Sequence, residues 1–261
     1  MSEYCSLPLM QVFSQRPDRL KTIDDAMRHI PPLTQDDTFL EVACGDGRAA
    51  CRVWESQGCR VTGVDISEER IHMARETSAS IGAGDMVNFV CCDFLAANLP
   101  ETYSLLYCEN FFSSLRDKEK HTFADKAAKL VKPGGYVILY DFTAGNNGSE
   151  DEKTQIETIP CFVGIKKPET YCGYFKSAGF DKISITDTSL RIYAMGAYLA
   201  RTYGCAPSQL GEALARAENA EKGLREPSPE EMASEQLRIK NFLKDDKIGS
   251  AMIIMRKQQN Y

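Results

Sequence analysis

Several things are missing from this 261-residue chain, and each absence narrows what it can do. No stretch approaches the roughly 18 uninterrupted apolar residues that a membrane-spanning helix needs. The opening residues, Met1-Ser2-Glu3-Tyr4-Cys5, lack the basic patch and apolar core of a secretion signal. A cytoplasmic protein that does not engage a membrane is therefore expected. Basic excess is also missing: 31 Lys and Arg against 37 Asp and Glu give a net charge of −6. A nucleic-acid groove needs a cationic stripe to displace counterions from phosphates, so nucleic acid is not an expected partner. Histidine is scarce, being confined to His29, His72 and His121, each among polar neighbours on a predicted helix. With no Cys-x-x-Cys pair and no histidine cluster, no metal site is expected.

Cysteine, by contrast, is plentiful, at ten residues. Without a secretion signal these read as reduced thiols. Cys51, Cys91 and Cys108 fall inside predicted elements, where cysteine behaves as a small hydrophobe, and Cys91-Cys92 reads as strand packing. The chain is long enough to bury a core without covalent staples and suits one elaborated domain. Lys118, Lys120, Lys126, Lys129 and Lys132 alternate with acids along one predicted helix and read as its solvated face.

The most informative stretch runs from Thr38 to Ser67. An apolar run, Thr38-Phe39-Leu40-Glu41-Val42, leads into Ala43-Cys44-Gly45-Asp46-Gly47, then a helical segment, then Arg60-Val61-Thr62-Gly63-Val64-Asp65. A strand that ends in a glycine turn and feeds a helix offers backbone N–H groups to a ligand, and Gly45 and Gly47 let it come close. Asp65 follows Gly47 by 18 residues, near the roughly 20 expected of a ribose-binding acid at the end of the next strand. The dinucleotide pattern G-x-G-x-x-G is only approximated, with Ala43 at the first of three alternating positions and Ala50 in place of the third glycine. Glu41, two positions before the turn, would repel a diphosphate and suits a ligand carrying an ammonium group.

From Thr38 to Ile185 the pattern alternates. Strands are predicted near 38–42, 60–65, 87–91, 104–108, 136–141 and 182–187, and helices near 48–57, 68–81, 118–131 and 168–178. Ser67 ahead of Glu68-Glu69 is a predicted helix cap. Such alternation implies an α/β, Rossmann-like, doubly wound and mostly parallel sheet with its ligand at the carboxyl ends of the strands. Residues 1–37 are predicted to form a helical cap. Leu20, Ile23, Met27 and Ile30 recur there at helical spacing between Pro17-Asp18 and Pro31-Pro32. After the core, 38–188, a helical insertion is predicted over 189–246. It would hold a helix from Leu190 to Tyr203, another from Gln209 to Arg225, and a third opened by the capping box Ser228-Pro229-Glu230-Glu231. Residues 247–261 then carry a closing seventh strand, Ser250–Met255. An insertion of that length should be functional, as a cover for the substrate pocket or as a homodimer contact.

The spacing Glu41-x-Ala43-x-Gly45-x-Gly47 with Asp65 resembles the first two motifs of class I S-adenosylmethionine-dependent methyltransferases. Val87–Phe94, Tyr103–Phe112 and Leu130–Tyr140 resemble that family's later segments in order, and the resemblance covers about Thr38 to Phe180. It implies a seven-stranded sheet whose last strand is antiparallel, and S-adenosylmethionine as cofactor. By the same resemblance Glu41, Ala43, Gly45 and Gly47 would shape the amino-acid end of the cofactor, Asp65 would hold the ribose, and Ile66 would lie on the adenine. Asp93 would contact the adenine amino group with Phe94 beside it, and Glu109 and Asn110 would face the methyl group and the substrate. Asn110-Phe111-Phe112 is similar to the Asn/Asp-Pro-Pro-aromatic motif of nucleic-acid amino-methyltransferases, but both prolines are absent.

Methyl transfer from a sulfonium is an in-line displacement whose chief requirement is alignment, which can supply roughly 7–11 kcal/mol. Scarce histidine is compatible with such chemistry. The expected function is methyl transfer to a small molecule. A narrower alternative comes from Thr158–Gly164 and Ala178-Gly179-Phe180, which resemble arsenite methyltransferases, with Cys161 placed 17 residues before Ala178 and Cys205 and Cys51 as further thiols. An NAD-dependent oxidoreductase and a non-catalytic binding protein with this fold remain the alternatives from other classes.

Overall fold

The structure is a computed structural model that describes residues 19–145, 163–221, 223–243 and 248–259. Thr38–Val42 (β1) is buried along its whole length, as a strand covered on both faces must be. It pairs in parallel with Arg60–Asp65 (β2) on one side and Tyr103–Glu109 (β4) on the other. Val87–Cys91 (β3) extends the sheet beyond β2, and Val131–Ala144 (β5) extends it beyond β4, both in parallel. Ile248–Lys257 (β7) then slots between β5 and Phe180–Asp187 (β6), antiparallel to both. The resulting order is β3-β2-β1-β4-β5-β7-β6. Strand order reverses between β1 and β4, and in an open sheet of this kind the crevice for a ligand lies at that reversal, outside the carboxyl ends.

Eight α-helices are present among the described residues: Arg19–Met27 (α1), Arg48–Gln57 (α2), Glu68–Ser80 (α3), Asp117–Leu130 (α4), Pro168–Ser177 (α5), Leu190–Thr202 (α6), Leu210–Glu221 (α7) and Pro229–Leu243 (α8). Strand alternation sorts the core into two layers. Leu40, Val42, Leu106, Val137 and Leu139 face Phe123 of α4 and Phe175 of α5. Phe39, Tyr107, Ile138 and Tyr140 face the other way, toward Ile23 and Ala26 of α1, Ala50 of α2 and Ile71 of α3. The N-terminal helix is thus an integral part of one layer. The expected caps form: Ser67 Oγ accepts the Arg70 N–H at 3.3 Å. In the predicted capping box, Ser228 N–H donates to Glu231 at 2.6 Å and Glu231 N–H to Ser228 Oγ at 3.2 Å.

Some expectations need correction. Lys118 and Lys129 are exposed, but Lys120 belongs to no solvated face. It has zero exposure because α4 turns it under Phe112 and Tyr171. Strand β5 begins at Val131, immediately after α4. The residue before a proline is pushed toward extended backbone, so Lys132-Pro133 starts the strand early, at the cost of a register irregularity opposite Tyr103 and Leu105. Cys51 and Cys108 are buried as expected, but Cys91, at the end of the edge strand β3, is exposed. His29 lies in the turn beyond α1.

The glycines near the site are fixed by one ring. A Cβ at Gly63 would stand 2.5 Å from Phe89 and 3.0 Å from Cys44 Sγ, and one at Gly47 would also stand 2.5 Å from Phe89. Phe89 is 3% exposed and has no free direction in which to retreat. Gly63→Ala should therefore lower stability by about 1–3 kcal/mol through overpacking. Adding Phe89→Leu should recover part of that loss in urea unfolding, a non-additivity expected only of groups in contact.

Candidate active site

The chain leaves β1 through a turn in which alternate residues take left-handed backbone: Ala43 at φ 56°, Gly45 at 56° and Gly47 at 73°. The turn is held at two points. Cys44 N–H donates to the Val64 carbonyl at 3.0 Å, which keeps the turn in register with β2. Gly45 N–H donates to Asp65 Oδ2 at 2.9 Å. The other carboxylate oxygen of Asp65 accepts the Ser67 N–H at 3.0 Å, at the entry to α3. Asp65 therefore braces the glycine turn and the next helix at once while lying 9% exposed. An ionised carboxylate offers about four acceptor positions, so two backbone bonds leave capacity for the hydroxyls of a ligand.

Glu41 is 1% exposed on β1, opposite Gly63 of β2 and Tyr107 of β4. By strand alternation it shares the face that carries Phe39, Tyr107 and Tyr140. Tyr107 donates its hydroxyl to Glu109 Oε2 at 3.0 Å, and Glu109 in turn stands opposite Tyr140 of β5. Next in sequence is Asn110, with φ 54°, whose N–H donates to the Tyr140 carbonyl at 3.0 Å. Asparagine tolerates left-handed backbone better than most residues, which explains why a polar amide ends β4.

Beyond β2, Ile66 is half exposed at 51%. Asp93 is exposed after β3 and accepts the Leu95 N–H at 2.9 Å. Phe94 differs from its neighbours: its ring lies in the core, 4.9 Å from that of Phe123 and beneath Lys126. The carboxyl edge of β1, β2, β3 and β4 thus gathers Glu41, Ala43, Gly45, Gly47, Asp65, Ile66, Asp93, Glu109 and Asn110, and Phe94 is the member turned inward.

Three groups escaped sequence reasoning. Asp141 has zero exposure at the end of β5. Its Oδ2 accepts N–H groups from Phe111 at 3.0 Å and Ser113 at 3.2 Å, and its Oδ1 accepts that of Phe142 at 2.7 Å. It is an internal anion for the turn that follows Asn110. An acid interrupting the apolar run Val137–Phe142 was the available signal. Burial pushes its carboxyl up to about 6, against the lowering effect of those N–H donors. Lys120, pushed down to about 8 by burial and partly restored by Asp141, donates to the Leu115 carbonyl nearby. The third is Arg191 at the head of α6, which reaches Thr22 and Asp25 on α1; nothing local in the sequence marks it.

Two cysteines near the site, Cys51 and Cys108, are not poised as thiolates. Burial, with Glu41, Glu55 and Asp46 adding to it, pushes the Cys51 thiol up to about 12. Burial raises Cys108 well above its ordinary value, and Asp141 adds to it. Cys161 lies outside the described residues. Among the described residues no group of three or more His, Cys, Asp and Glu could hold a metal ion, and no helix is long and apolar enough to cross a membrane.

A left-handed glycine turn tied to an acid at the end of the next strand, at the switch point of a mostly parallel sheet, is the arrangement in which open α/β sheets hold nucleotide-type ligands. A methyltransferase-domain family profile matches residues 39–135, which include the turn, Asp65, Asp93, Glu109 and Asn110. The 27-O-demethylrifamycin SV methyltransferase of Amycolatopsis mediterranei (strain S699) is 24% identical over 171 residues, 64% of this chain and 62% of that protein. Among solved structures, phosphoethanolamine N-methyltransferase 2 of Haemonchus contortus with S-adenosyl-L-methionine superposes with a TM-score of 0.69 at 17% identity. It covers 92% of this chain and 53% of that one. The [4+2]-cyclase SpnF superposes at 0.71 with 17% identity, covering 98% and 94%. Residues 39–135 thus resemble the methyltransferase-domain family, and the fold is the one shared by these solved structures. It spans less than two thirds of the length of the curated relatives it matches.

Two outcomes follow from this geometry. Left-handed backbone costs a non-glycine residue about 1–2 kcal/mol, and glycine gives back part of that in unfolded-chain entropy. Ala43→Gly should accordingly stabilise the protein by about 0.5–1 kcal/mol, read as a higher urea midpoint. The raised carboxyl of Asp141 binds a proton more tightly folded than unfolded, so its contribution to stability falls as pH rises from about 4 to about 6. Relative to Asp141→Asn, the wild type should gain on the order of 3 kcal/mol as pH drops through that window. Parallel pH profiles of the two proteins would disprove the assignment.

Proposed function

We propose that this protein is an S-adenosylmethionine-dependent methyltransferase that transfers the methyl group in line to a small-molecule nucleophile. The observation that carries the reading is the Asp65 carboxylate locked by Gly45 N–H and Ser67 N–H beside a turn whose Gly47 lacks room for a Cβ. Such a cradle fits an adenosyl ligand. Asp65 would hold the ribose hydroxyls, Ile66 and Asp93 would border the adenine, with Phe94 supporting that edge from behind, and Glu41 with the Ala43–Gly47 turn would meet the amino-acid end. The bound cofactor would supply an electrophilic methyl on a sulfonium with a neutral leaving group.

The chain's own residues then have two tasks. The Asn110 turn, fastened by the Tyr140 carbonyl and Asp141, fixes where a nucleophile can stand. Glu109, oriented by the Tyr107 hydroxyl, is placed to accept a proton or a hydrogen bond from that nucleophile. Relatives named for methylation of 27-O-demethylrifamycin SV and of phosphoethanolamine support a small-molecule substrate, and the net charge of −6 speaks against nucleic acid. An arsenite substrate would require thiolates, and Cys51, buried next to Glu41, is held as a thiol. An oxidoreductase reading would have to bring a diphosphate past the buried carboxylate of Glu41.

Calorimetric titration with S-adenosylmethionine, S-adenosylhomocysteine and NAD tests the reading. The first two should bind and NAD should not. Asp65→Ala should weaken S-adenosylhomocysteine roughly 10-fold to 100-fold, the loss expected when charge-assisted hydrogen bonds go. Binding of NAD alone would end the proposal. Arsenite titrated into wild type and Cys161→Ser should give no difference; a loss confined to the variant would restore the metalloid alternative.

A further inference from the structure

The insertion between β6 and β7 needs a role, and the contacts of Arg191 provide one. Its Nη1 donates to Thr22 Oγ1 at 3.0 Å, its Nη2 pairs with the Asp25 carboxylate, and its guanidinium carbon lies 5.1 Å from the centre of the Tyr140 ring. Those three partners belong to α1 and β5, and Thr22 has zero exposure. Both sides of the joint are anchored. Behind Arg191, Thr188 N–H donates to the Ser250 carbonyl at 2.8 Å and Ser250 N–H to Ser189 Oγ at 3.1 Å, which bolts the start of α6 to β7. On the far side, Asp24 pairs with Arg52 at 2.8 Å, which ties α1 to α2, the helix that leaves the glycine turn. A continuous series of contacts therefore runs from that turn through α2, α1 and Arg191 to Tyr140, which stands opposite Glu109.

We infer that Arg191 is a positioning residue that makes the insertion part of the wall of the ligand site, holding α1 against the sheet face that carries Glu41 and Glu109 so that a bound adenosyl ligand is released slowly. The inference rests on the proposed function for the identity of the ligand. Arg191 touches neither reacting atom; it acts through α1 and Tyr140. The fork and plane of a guanidinium suit this double engagement, bonding along its edge and stacking on its face, as a lysine ammonium cannot.

The test is stopped-flow and calorimetric measurement of S-adenosylhomocysteine binding to wild type, Arg191→Ala, Arg191→Lys, Asp25→Asn and the charge swap Asp25→Arg with Arg191→Asp, each at low and high salt. Arg191→Ala should release the ligand about 10-fold faster with little change in association rate. Arg191→Lys should fall between it and wild type, and the swap should recover part of the slow release, because Arg28 also pairs with Asp25 and would face the reversed charge. The partners are only 27% and 32% exposed, yet 1 M salt shortens the screening length to about 3 Å. Wild-type release should therefore quicken with salt while Arg191→Ala stays level, a response that a purely structural loss would not produce. Equal release rates for wild type and Arg191→Ala at both salt concentrations would overturn the inference and leave the proposed function standing. If Arg191→Ala does not fold, Asp25→Asn carries the same test with the same outcomes. No binding of S-adenosylhomocysteine by wild type would instead remove the proposed function and this inference with it.

Discussion

One carboxylate, Asp65, links the parts of the site that must move together or not at all. By accepting an N–H from Gly45 and another from Ser67, it fixes the glycine turn relative to the start of α3. Neither donor sits in a helical or ladder hydrogen bond that could replace it, and a buried unpaired N–H is costly. The turn therefore takes its shape from an acid 20 residues away. Phe89 closes the arrangement from below: it fills the space that side chains at Gly47 and Gly63 would need, so strand β3 sets how near the turn can approach β2. Any ligand held here is held by backbone whose freedom was removed during folding, which is the condition for tight binding at low entropic cost.

The electrostatic character of this edge follows from the same packing. Glu41, Asp65 and Asp141 are all buried, and Glu109 is partly so. Two cations that lie near this edge have duties of their own. Lys120 lies behind the Asn110 turn on the Leu115 carbonyl, and Arg191 is taken up by Asp25. A cationic ligand entering such an edge would relieve mutual repulsion among the carboxylates, and it would do so where water screens weakly. That preference is a property of the arrangement, and it explains why an acid just before a glycine turn separates this site from one built for a diphosphate.

How much of this was legible depended on sequence distance. The turn, Asp65 and both helix caps are local patterns, each decided within a few residues or by the regular length of a βαβ unit, and they stand in the structure as the spacing predicts. Groups governed by remote partners were not legible. Lys120 looks solvated among Lys118 and Glu119, yet the rings that cover it come from Phe112 and from Tyr171 on another helix. Phe94 follows an acid that faces solvent, but its own direction is set by Phe123, 29 residues on. Asp141 could be noticed as an acid in an apolar strand, but the donors that justify it lie on the neighbouring turn. Arg191 and Asp25 are 166 residues apart, beyond the reach of any periodicity.

The form of the joint between insertion and core also carries meaning. Within the insertion, packing is close: Gly211 N–H donates to Gln236 at 2.9 Å, a Cβ at Gly211 would collide with the α8 backbone, and Leu210 and Leu214 are buried. Leu190, beside Arg191, is 82% exposed, so the first turn of α6 does not use its leucine to grip α1. The grip is polar instead. An apolar seal of a few hundred Å² would contribute several kcal/mol at roughly 25 cal/mol per Å². A partly exposed ion pair with one extra hydrogen bond contributes only about a kcal/mol or so. A contact of that strength breaks often enough to let ligand exchange and reforms without refolding either helix, provided each side is anchored elsewhere. Thr188 and Ser189 on β7, and Asp24 on Arg52, supply that anchoring. The weakness of the Arg191 contact is thus what allows an insertion three helices long to serve a site that must both hold its ligand and let it go.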